Sequence, residues 1–336
     1  MRSRKRQLLV MLATIVLTTF LTSTSIRIAL GQPPIITVAT DESKYGLSDT
    51  VRIDGNLTVG GTPVGDGIVG VEVRDSANLP LIFRTRPTGT IATDNWLINI
   101  TQIYTADSSG NPKHSFAIGN NLYIFCSVKN LDDFPHNVMI CITIYGANMV
   151  PIGSWYPSNG TIEAGNTKEI LFFATKIDTT MASGTATVYA NAYSNFPNLA
   201  GYPWCPEKTA TFTITGTTLS IQQTFTVEYT STLADGTYSV SFKLPREWFL
   251  GTYNVYVSTF YAHAQAYTST TFEVVLIGDI NGDDEVNILD AILLAKAYPS
   301  APGDPNWNPN ADLNESGNVD VLDAILLAKH FGDKAV

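Results

Sequence analysis

The chain has 336 residues, which is enough for about two to four modules. It is 44% hydrophobic and only 15% charged, and 20 basic residues against 30 acidic ones give a formal net charge of −10. Such an acidic balance argues against nucleic acid and anionic lipid surfaces as partners, and it suits divalent cations.

The N-terminal segment has the layout of a secretory signal. "MRSRKRQLLVMLATIVLTTFLTSTS" combines a basic start with an apolar run over 8–21 and a small, polar end. The alternative is an uncleaved membrane anchor, but the run is shorter than the ~20 residues that a span needs. We therefore expect a signal peptide over 1–31, with the mature chain extracellular or at the cell surface and without a membrane span.

The middle of the chain is predicted to be β. Runs such as "TVRIDGNLTV", "LYIFCSVKN" and "TYNVYVSTF" are rich in Val, Thr, Tyr, Phe and Ile, and several alternate apolar with polar residues. Turn residues cut these runs every ~8–12 residues, as in β-sandwiches. The expected fold class is mainly β, with several sandwiches followed by a small helical domain.

Three β modules are predicted, over 33–94, 95–216 and 217–276. "SKYGLSDTVRIDGNLTVGGTPV" resembles the start of macroglobulin-type immunoglobulin-like modules, and "SFAIGNNLYIFCSVKN" resembles adhesion-related immunoglobulin-like domains. The first and third segments are each about 60 residues, small for a sandwich of ~100. Either the three modules are separate, or 217–276 completes a sandwich that 33–94 begins and the middle module interrupts.

The chain contains three cysteines, an odd number for an oxidising compartment. Cys126 and Cys141 lie on consecutive strand-like runs, so a disulfide across a hairpin is one prediction. Cys205 remains an alternative partner for either.

No catalytic constellation is recognisable. The sequence lacks a His-Glu-x-x-His motif, a Gly-x-Ser-x-Gly elbow and a phosphate-binding glycine loop, and its four histidines lack ligand spacing. We expect the histidines at the surface or in loops, and the protein not to be an enzyme. A polysaccharide-active hydrolase with a site assembled only in space is the alternative.

Several aromatic residues raise the question of sugar binding. The candidates for a stacking platform are Trp155, Tyr156, Tyr202, Trp204, Trp248 and Tyr253. Packing in sandwich cores is the competing explanation. Trp204, in the loop-like "GYPWCPE", is the first choice for a sugar contact.

The C-terminal region contains a repeat. "DINGDDEVNILDAILLAK" starts at Asp279 and "DLNESGNVDVLDAILLAK" starts at Asp312. A twelve-residue calcium loop supplies oxygens from positions 1, 3, 5, 7, 9 and 12, with the backbone carbonyl used at position 7. The predicted ligands are Asp279, Asn281, Asp283, Glu285, Asn287 and Asp290 in the first loop and Asp312, Asn314, Ser316, Asn318, Asp320 and Asp323 in the second.

The paired loops resemble a dockerin domain over 277–333, because each loop runs directly into a helix and closes on Asp. The resemblance implies two calcium ions, a cohesin-like partner, and assemblies that handle polysaccharide. Asp284 replaces the glycine expected at position 6, and Ser316 removes a charged ligand from the second loop. Positions 10 and 11 are apolar, Ile288-Leu289 and Val321-Leu322, which argues against the best-known cohesin class.

The helices are expected to pack together and leave an apolar strip. Leu289, Ile292 and Leu293 are predicted to face Leu322, Ile325 and Leu326. The predicted partner-binding residues are Ile288, Leu289, Leu294, Lys296, Val321, Leu322, Leu327 and Lys329. The strip could instead pack on the preceding β module, as an intramolecular clasp.

The leading functional hypothesis is a non-catalytic secreted protein whose calcium-binding tail docks it to a cohesin-type partner or surface scaffold. The alternative is a carbohydrate-binding or adhesion protein in which the tail is only a calcium clasp. A cryptic glycoside hydrolase is the third hypothesis.

Overall fold

A computed structural model describes residues 32–89, 96–216 and 236–336. The predicted signal peptide lies outside these residues. No helix among them is both long and apolar enough to cross a bilayer. The described part of the chain is mainly β, with two α-helices near the C-terminal end, and this confirms the predicted fold class.

Strands from both ends of the β region share one sandwich, here called the outer module. Its strands are β1 (Pro34–Ile36), β2 (Ala39–Thr40), β3 (Lys44–Gly46), β4 (Thr50–Val59), β5 (Thr62–Pro63), β6 (Ile68–Arg74), β7 (Pro80–Pro87), β16 (Thr237–Lys243), β18 (Gly251–Tyr261) and β19 (Ala264–Val275). The short strand β17 (Glu247–Trp248) lies between β16 and β18 in the chain but belongs to neither sheet of the sandwich. One sheet has the order β1-β4-β16, with β2 and β5 also paired to β4, and the other has the order β3-β19-β18-β6-β7. Sequence-distant pairs such as β4 with β16 and β6 with β18 therefore hold this module together.

The inner module occupies the chain between these two halves. Its strands are β8 (Ile98–Ala106), β9 (Ser115–Ala117), β10 (Asn121–Asn130), β11 (His136–Tyr145), β12 (Pro151–Ile162), β13 (Thr167–Lys176), β14 (Gly184–Tyr193) and β15 (Lys208–Thr215). They form sheets of order β13-β10-β8 and β12-β11-β14-β15-β9, and aliphatic side chains from both sheets share one core. The boundaries predicted at 94/95 and 216/217 fall within or beside residues outside the described ranges and stay predictions.

Strand β6 shows how closely the two modules pack. All seven of its residues are buried, whereas a strand with one solvent-facing side alternates. Nearby, the Arg84 guanidinium on β7 donates two hydrogen bonds to Glu207 of the inner module, at 2.8 and 2.7 Å. Burial alone would raise the pKa of Glu207, but the charge and hydrogen bonds of Arg84 hold that pKa below its ordinary value. This buried, bidentate pair fixes the two modules against each other.

The tail consists of two loop–helix units and a terminal strand. Helix α1 spans Ile288–Ala297, helix α2 spans Val321–His330, and β20 (Lys334–Ala335) pairs in parallel with β17. Both helices begin at a capping box, in which the N-cap side chain and an Asp three residues later satisfy orphan backbone N–H groups. The tail has its own small core, formed by Ile280, Val286, Leu294, Ala297, Ala311, Val319 and Leu327.

The predicted disulfide between Cys126 and Cys141 is wrong. Cys126 lies on β10 and Cys141 on β11, and these consecutive strands belong to different sheets, so the two residues are not cross-strand neighbours. All three cysteines are free and buried, and burial raises the pKa of the Cys126 thiol to about 12.

Candidate metal centre and docking surface

The first loop folds around two carboxylates. Asp279 accepts backbone hydrogen bonds from Gly282 and Asp283 on Oδ1, at 2.7 and 3.1 Å, and from Asp284 on Oδ2, at 3.0 Å. The Asp290 carboxylate is fully buried and accepts three further backbone hydrogen bonds. The donors are the amides of Ile280, Asn281 and Asn287. The first and last ligand positions are thus fixed by the loop backbone.

These contacts bring acidic oxygens together. Asp279, Asp283 and Asp290 each place a carboxylate oxygen within 4.8 Å of the others. Asn281 lies beside them, with its side-chain oxygen 2.9 Å from the Asp283 amide. Three carboxylates at this distance repel one another, and hard oxygen donors in such a set are the ligands that calcium prefers. The residues present therefore fit calcium, whose charge would offset the repulsion.

The remaining predicted ligands of the first loop are close by but have other contacts as well. The Asn287 side chain accepts the Leu289 amide at 2.7 Å as the N-cap of α1. The Glu285 amide donates to Asp283 at 3.2 Å, and Glu285 also forms a β-bridge with Lys334 of the terminal strand. The metal loop and the C-terminal strand are therefore directly joined.

The second loop repeats the backbone pattern with fewer charges. Asp312 accepts from Ser316 and Gly317, and buried Asp323 accepts from Asn314 and Asp320. The Ser316 hydroxyl donates to the Asn318 carbonyl at 3.2 Å. Among the described residues, the cluster of three acidic ligands occurs in the first loop, because Ser316 stands where that loop has Asp283. This difference predicts a weaker second site.

Backbone geometry at position 6 agrees with a calcium loop. Asp284 has a φ of 66° and Gly317 a φ of 84°, both in the left-handed region. Glycine adopts this conformation without penalty, whereas Asp adopts it at a cost of about 1 kcal/mol. Val286 and Val319, at position 8 of each loop, are buried in the tail core.

The helices present two related apolar surfaces to solvent. The exposed side chains are Ile288, Leu289 and Ile292 on α1 and Val321, Leu322 and Ile325 on α2. Each set lies at the first two turns of its helix, directly after a metal loop. We call them the α1 face and the α2 face. The predicted surface residues Lys296 and Lys329 are exposed as well.

Two parts of the sequence-based surface assignment are wrong. Leu294 and Leu327, predicted to contact a partner, are buried in the tail core. Leu289 and Leu322, predicted also to pack the two helices together, are about half exposed. The octapeptide LDAILLAK is apolar on several sides of a helix, so its periodicity does not decide which side is buried.

The end of α2 is joined to the outer module through buried polar groups, here called the joint. His330 Nδ1 lies 2.9 Å from the Leu47 carbonyl oxygen and 3.0 Å from Asp333, and the Ser48 hydroxyl donates to Asp333 at 2.6 Å. His330 and Asp333 are fully buried, so the expected surface or loop position is wrong for His330. At the rim, Lys329 pairs with Asp49 at 2.6 Å.

Sequence reasoning missed the joint, although one signal was available. The octapeptide is followed by Ala297 in the first copy and by His330 in the second. A buried polar residue needs a partner, and a histidine at a position where the other copy has alanine predicts a contact that only one copy makes. The partners at Leu47, Ser48 and Asp49 are distant in sequence and carry no comparable signal.

The tail matches a known family. Residues 277–332 match the family model of the dockerin type I domain. Dockerin domains bind calcium and cohesins, so the match supports calcium as a ligand and a cohesin-docking role for the tail. No curated protein matches the chain.

The solved structures with detectable similarity are remote. They include an alkylpurine DNA glycosylase, AlkC, of Pseudomonas fluorescens bound to abasic DNA (11% identity, 36% of this chain and 31% of that chain, TM-score 0.28). The C-terminal domain of wzt gives 10% identity over 37% of this chain and 76% of that chain, with a TM-score of 0.31. A Listeria innocua beta-glucosidase in complex with isofagomine has 12% sequence identity over 36% of this chain and 16% of that chain, with a TM-score of 0.24.

These TM-scores are too low to carry an argument about function, and the chain spans about a third of the glycosylase's length. The family match is different in kind, because it covers both metal loops and both helices. The protein therefore carries a dockerin type I domain at residues 277–332, attached to a mainly β body.

Proposed function

We propose that the protein is a secreted, non-catalytic component that its dockerin domain attaches to a cohesin-bearing partner or surface scaffold, in assemblies that handle polysaccharide. The observation that carries the proposal is the pair of exposed apolar faces beside the two metal loops. A tail this small buries few side chains, and large apolar residues left in solvent favour a binding surface over a purely structural role.

Calcium connects folding of the tail to docking. Asp290 and Asp323 close the loops and also serve as the N3 residues of the two helix caps. Loading each loop with one calcium ion, two in all, would hold the first turn of each helix, where Leu289 and Leu322 lie. We therefore expect docking to require calcium, because metal binding and folding are coupled in such small domains.

The experiment is surface plasmon resonance of the secreted chain over a panel of immobilised, purified cohesin domains, with calcium and with EGTA. We expect calcium-dependent binding to at least one cohesin. Leu289→Asp together with Leu322→Asp should weaken binding at least about tenfold, since we expect the two apolar contacts together to contribute about 1.4 kcal/mol or more. Leu131→Asp is the matched control, because Leu131 is exposed to the same degree (53%, against 52% and 53%).

The outcomes separate the alternatives. The docking proposal would be contradicted if cohesin binding were the same in EGTA as in calcium. Full binding by the double variant would contradict it as well. The non-catalytic part is tested separately by release of reducing sugar from cellulose, xylan and mannan, and release above a heat-denatured control would overturn it.

A second candidate function, an intramolecular clasp, is favoured by the joint. His330, Asp333 and the terminal strand fasten the tail to the outer module, and the Arg246 guanidinium donates to the Phe331 carbonyl at 2.8 Å. These contacts lie at the C-terminal end of α2, whereas the α1 and α2 faces lie at the N-terminal ends. The clasp and the docking surface therefore use different parts of the tail.

His330→Ala tests the clasp. We expect small-angle scattering to show a larger radius of gyration, with cohesin binding unchanged, because the faces and loops are untouched. An unchanged radius of gyration would count against the clasp, and loss of cohesin binding would show that the two functions are not separate.

A further inference from the structure

A pocket of about 510 Å³ lies where the outer and inner modules meet. Five aromatic side chains line it: Trp96, Tyr202, Trp204, Phe260 and Tyr261. Asp66 and His263 contribute polar groups to the same lining. We call this site the aromatic pocket, and it is separate from the dockerin domain.

Hydrogen bonds hold the inner-module side of the pocket in place. Tyr202 and Ser194 form two hydrogen bonds. The Tyr202 amide donates to the Ser194 hydroxyl at 2.9 Å, and the Ser194 amide donates to the Tyr202 carbonyl at 2.9 Å. The Trp204 indole N–H donates to the Asn137 carbonyl at 3.1 Å. Both rings remain partly exposed. The loop therefore presents aromatic surface from a fixed backbone, which reduces the entropy lost on binding.

The outer-module side reaches the pocket through the β18–β19 hairpin. The Phe260 ring stacks on Tyr202, with 4.8 Å between ring centroids, and Gln265 donates to the Ala200 carbonyl. The two modules thus complete one aromatic lining between them. Of the aromatic residues considered for a sugar platform, Tyr202 and Trp204 line this pocket, whereas Tyr253 is buried in the outer-module core.

The hairpin turn beside the pocket adopts an unusual backbone conformation. Tyr261 pairs with Ala264, and the two residues between them, Ala262 and His263, have φ values of 50° and 65°. Two-residue turns of this kind favour Asn-Gly, and an alanine in the left-handed region is disfavoured because its Cβ crowds the following carbonyl oxygen. The turn sets both residues in the pocket lining. Residues in such sparsely populated backbone conformations cluster at ligand-binding and active sites.

Polar groups at the rim remain available for a ligand. The Tyr261 hydroxyl donates to Asp66 Oδ1 at 2.7 Å, and this hydrogen bond raises the pKa of Tyr261. The second carboxylate oxygen of Asp66 accepts no hydrogen bond from the described residues, and exposed His263 makes none with them. The pocket therefore combines aromatic faces with a free acceptor and an imidazole.

We propose that the aromatic pocket binds a neutral carbohydrate, with pyranose rings packed on Trp204 and Trp96 and hydroxyl groups bonded to Asp66 and His263. The C–H face of a pyranose carries partial positive charge and packs on the negative face of an aromatic ring. Hydroxyl groups satisfy a carboxylate and an imidazole together. The Asp66 charge and the net charge of −10 disfavour phosphates, nucleotides and acidic sugars.

The test is isothermal titration calorimetry of the full secreted chain in calcium, with cellohexaose, xylohexaose, mannohexaose and chitohexaose as the probes. We expect at least one to bind with a Kd of about 1 mM or lower. Trp204→Ala should raise that Kd about tenfold or more, because the variant removes the aromatic face on which the pyranose ring packs. Asp66→Asn should raise it about threefold to tenfold through the lost charged acceptor.

Tyr267→Ala is the matched control, because Tyr267 is an exposed aromatic residue on the same hairpin but outside the pocket lining. Its Kd should equal that of the unsubstituted chain. If Trp204→Ala fails to fold, exposed Asp66 and His263 still test the site through Asp66→Asn and His263→Ala. No binding of any probe at about 10 mM overturns the proposal. Unchanged binding in these variants, or preference for polygalacturonate over all four probes, also overturns it.

Discussion

The two loop–helix units of the tail contain the same octapeptide, LDAILLAK, yet their helices end in different surroundings. Helix α1 ends at Ala297, buried within the tail core, and is followed by exposed Tyr298. Helix α2 ends at His330, buried against Leu47 of the outer module. At their N-terminal ends the helices present nearly identical apolar faces. The repeat therefore supplies a duplicated exposed apolar surface, and the residue after it determines which copy is anchored to the outer module.

The two metal loops also differ from each other. The first has a cluster of three carboxylates but an aspartate in a left-handed conformation, while the second has glycine there but a serine in place of a carboxylate. Each unit is thus less than ideal at a different position. Substitutions that make the two units alike, or that disable them, test how much each unit contributes to calcium binding and to the stability of the tail.

Removing both closing carboxylates should have the largest effect. Asp290 and Asp323 are fully buried and hold both the loop and the helix cap, so Asp290→Ala with Asp323→Ala should leave the tail unfolded even in excess calcium. Amide hydrogen exchange of 277–330 measures this. Glu285→Ala is the control, because only the Glu285 carbonyl is a predicted ligand. Retained helix protection in the double variant would contradict the assignment.

The anchored end of α2 can be tested by a double-mutant cycle. A Cβ at Gly46 would lie 2.4 Å from His330 Cε1, so Gly46→Ala should destabilise the joint by about 1–3 kcal/mol. In a His330→Ala background the same change should cost little, because the clashing ring is gone. Chemical denaturation of all four chains measures the coupling. Equal costs in both backgrounds would mean that the joint does not form.

Restoring a carboxylate should strengthen the weaker loop. Ser316→Asp adds a carboxylate to Asp312, Asp320 and Asp323 at the position that Asp283 holds in the first loop, and should raise the calcium affinity of the second loop about tenfold. Calorimetric calcium titration resolves the two sites. Asn318→Asp is the control, since it adds the same charge where only a carbonyl is a predicted ligand. An equal gain in the control would attribute the effect to general electrostatics.

The smallest effect is expected at position 6. Asp284→Gly should stabilise the calcium-loaded first loop by up to about 1 kcal/mol, and Gly317→Asp should destabilise the second loop by a similar amount. Thermal unfolding in saturating calcium measures both. Changes of the same sign in the two variants would contradict the conformational explanation.

Much of this organisation could be predicted from the sequence, because it depends on local patterns. Alternating strands indicated the mainly β class, and the repeated oxygen-bearing positions indicated the paired loops. The buried faces of the helices could not be predicted, since Leu289, Leu293 and Leu294 point to different sides of one apolar octapeptide. His330 gave a signal for the joint and Trp204 was a candidate for a sugar contact, but the residues around them could not be predicted. Leu47 and Asp66 are distant in sequence and come close to these two residues only through tertiary packing.

We propose that the tail is a calcium-dependent docking domain on a β body whose own fold does not depend on calcium. Hydrogen–deuterium exchange of the full chain in calcium and in EGTA tests this most directly. We expect peptides covering 288–297 and 321–330 to lose protection in EGTA while peptides covering 121–130 and 136–145 keep theirs. Equal protection of both helices with and without calcium would contradict the claim.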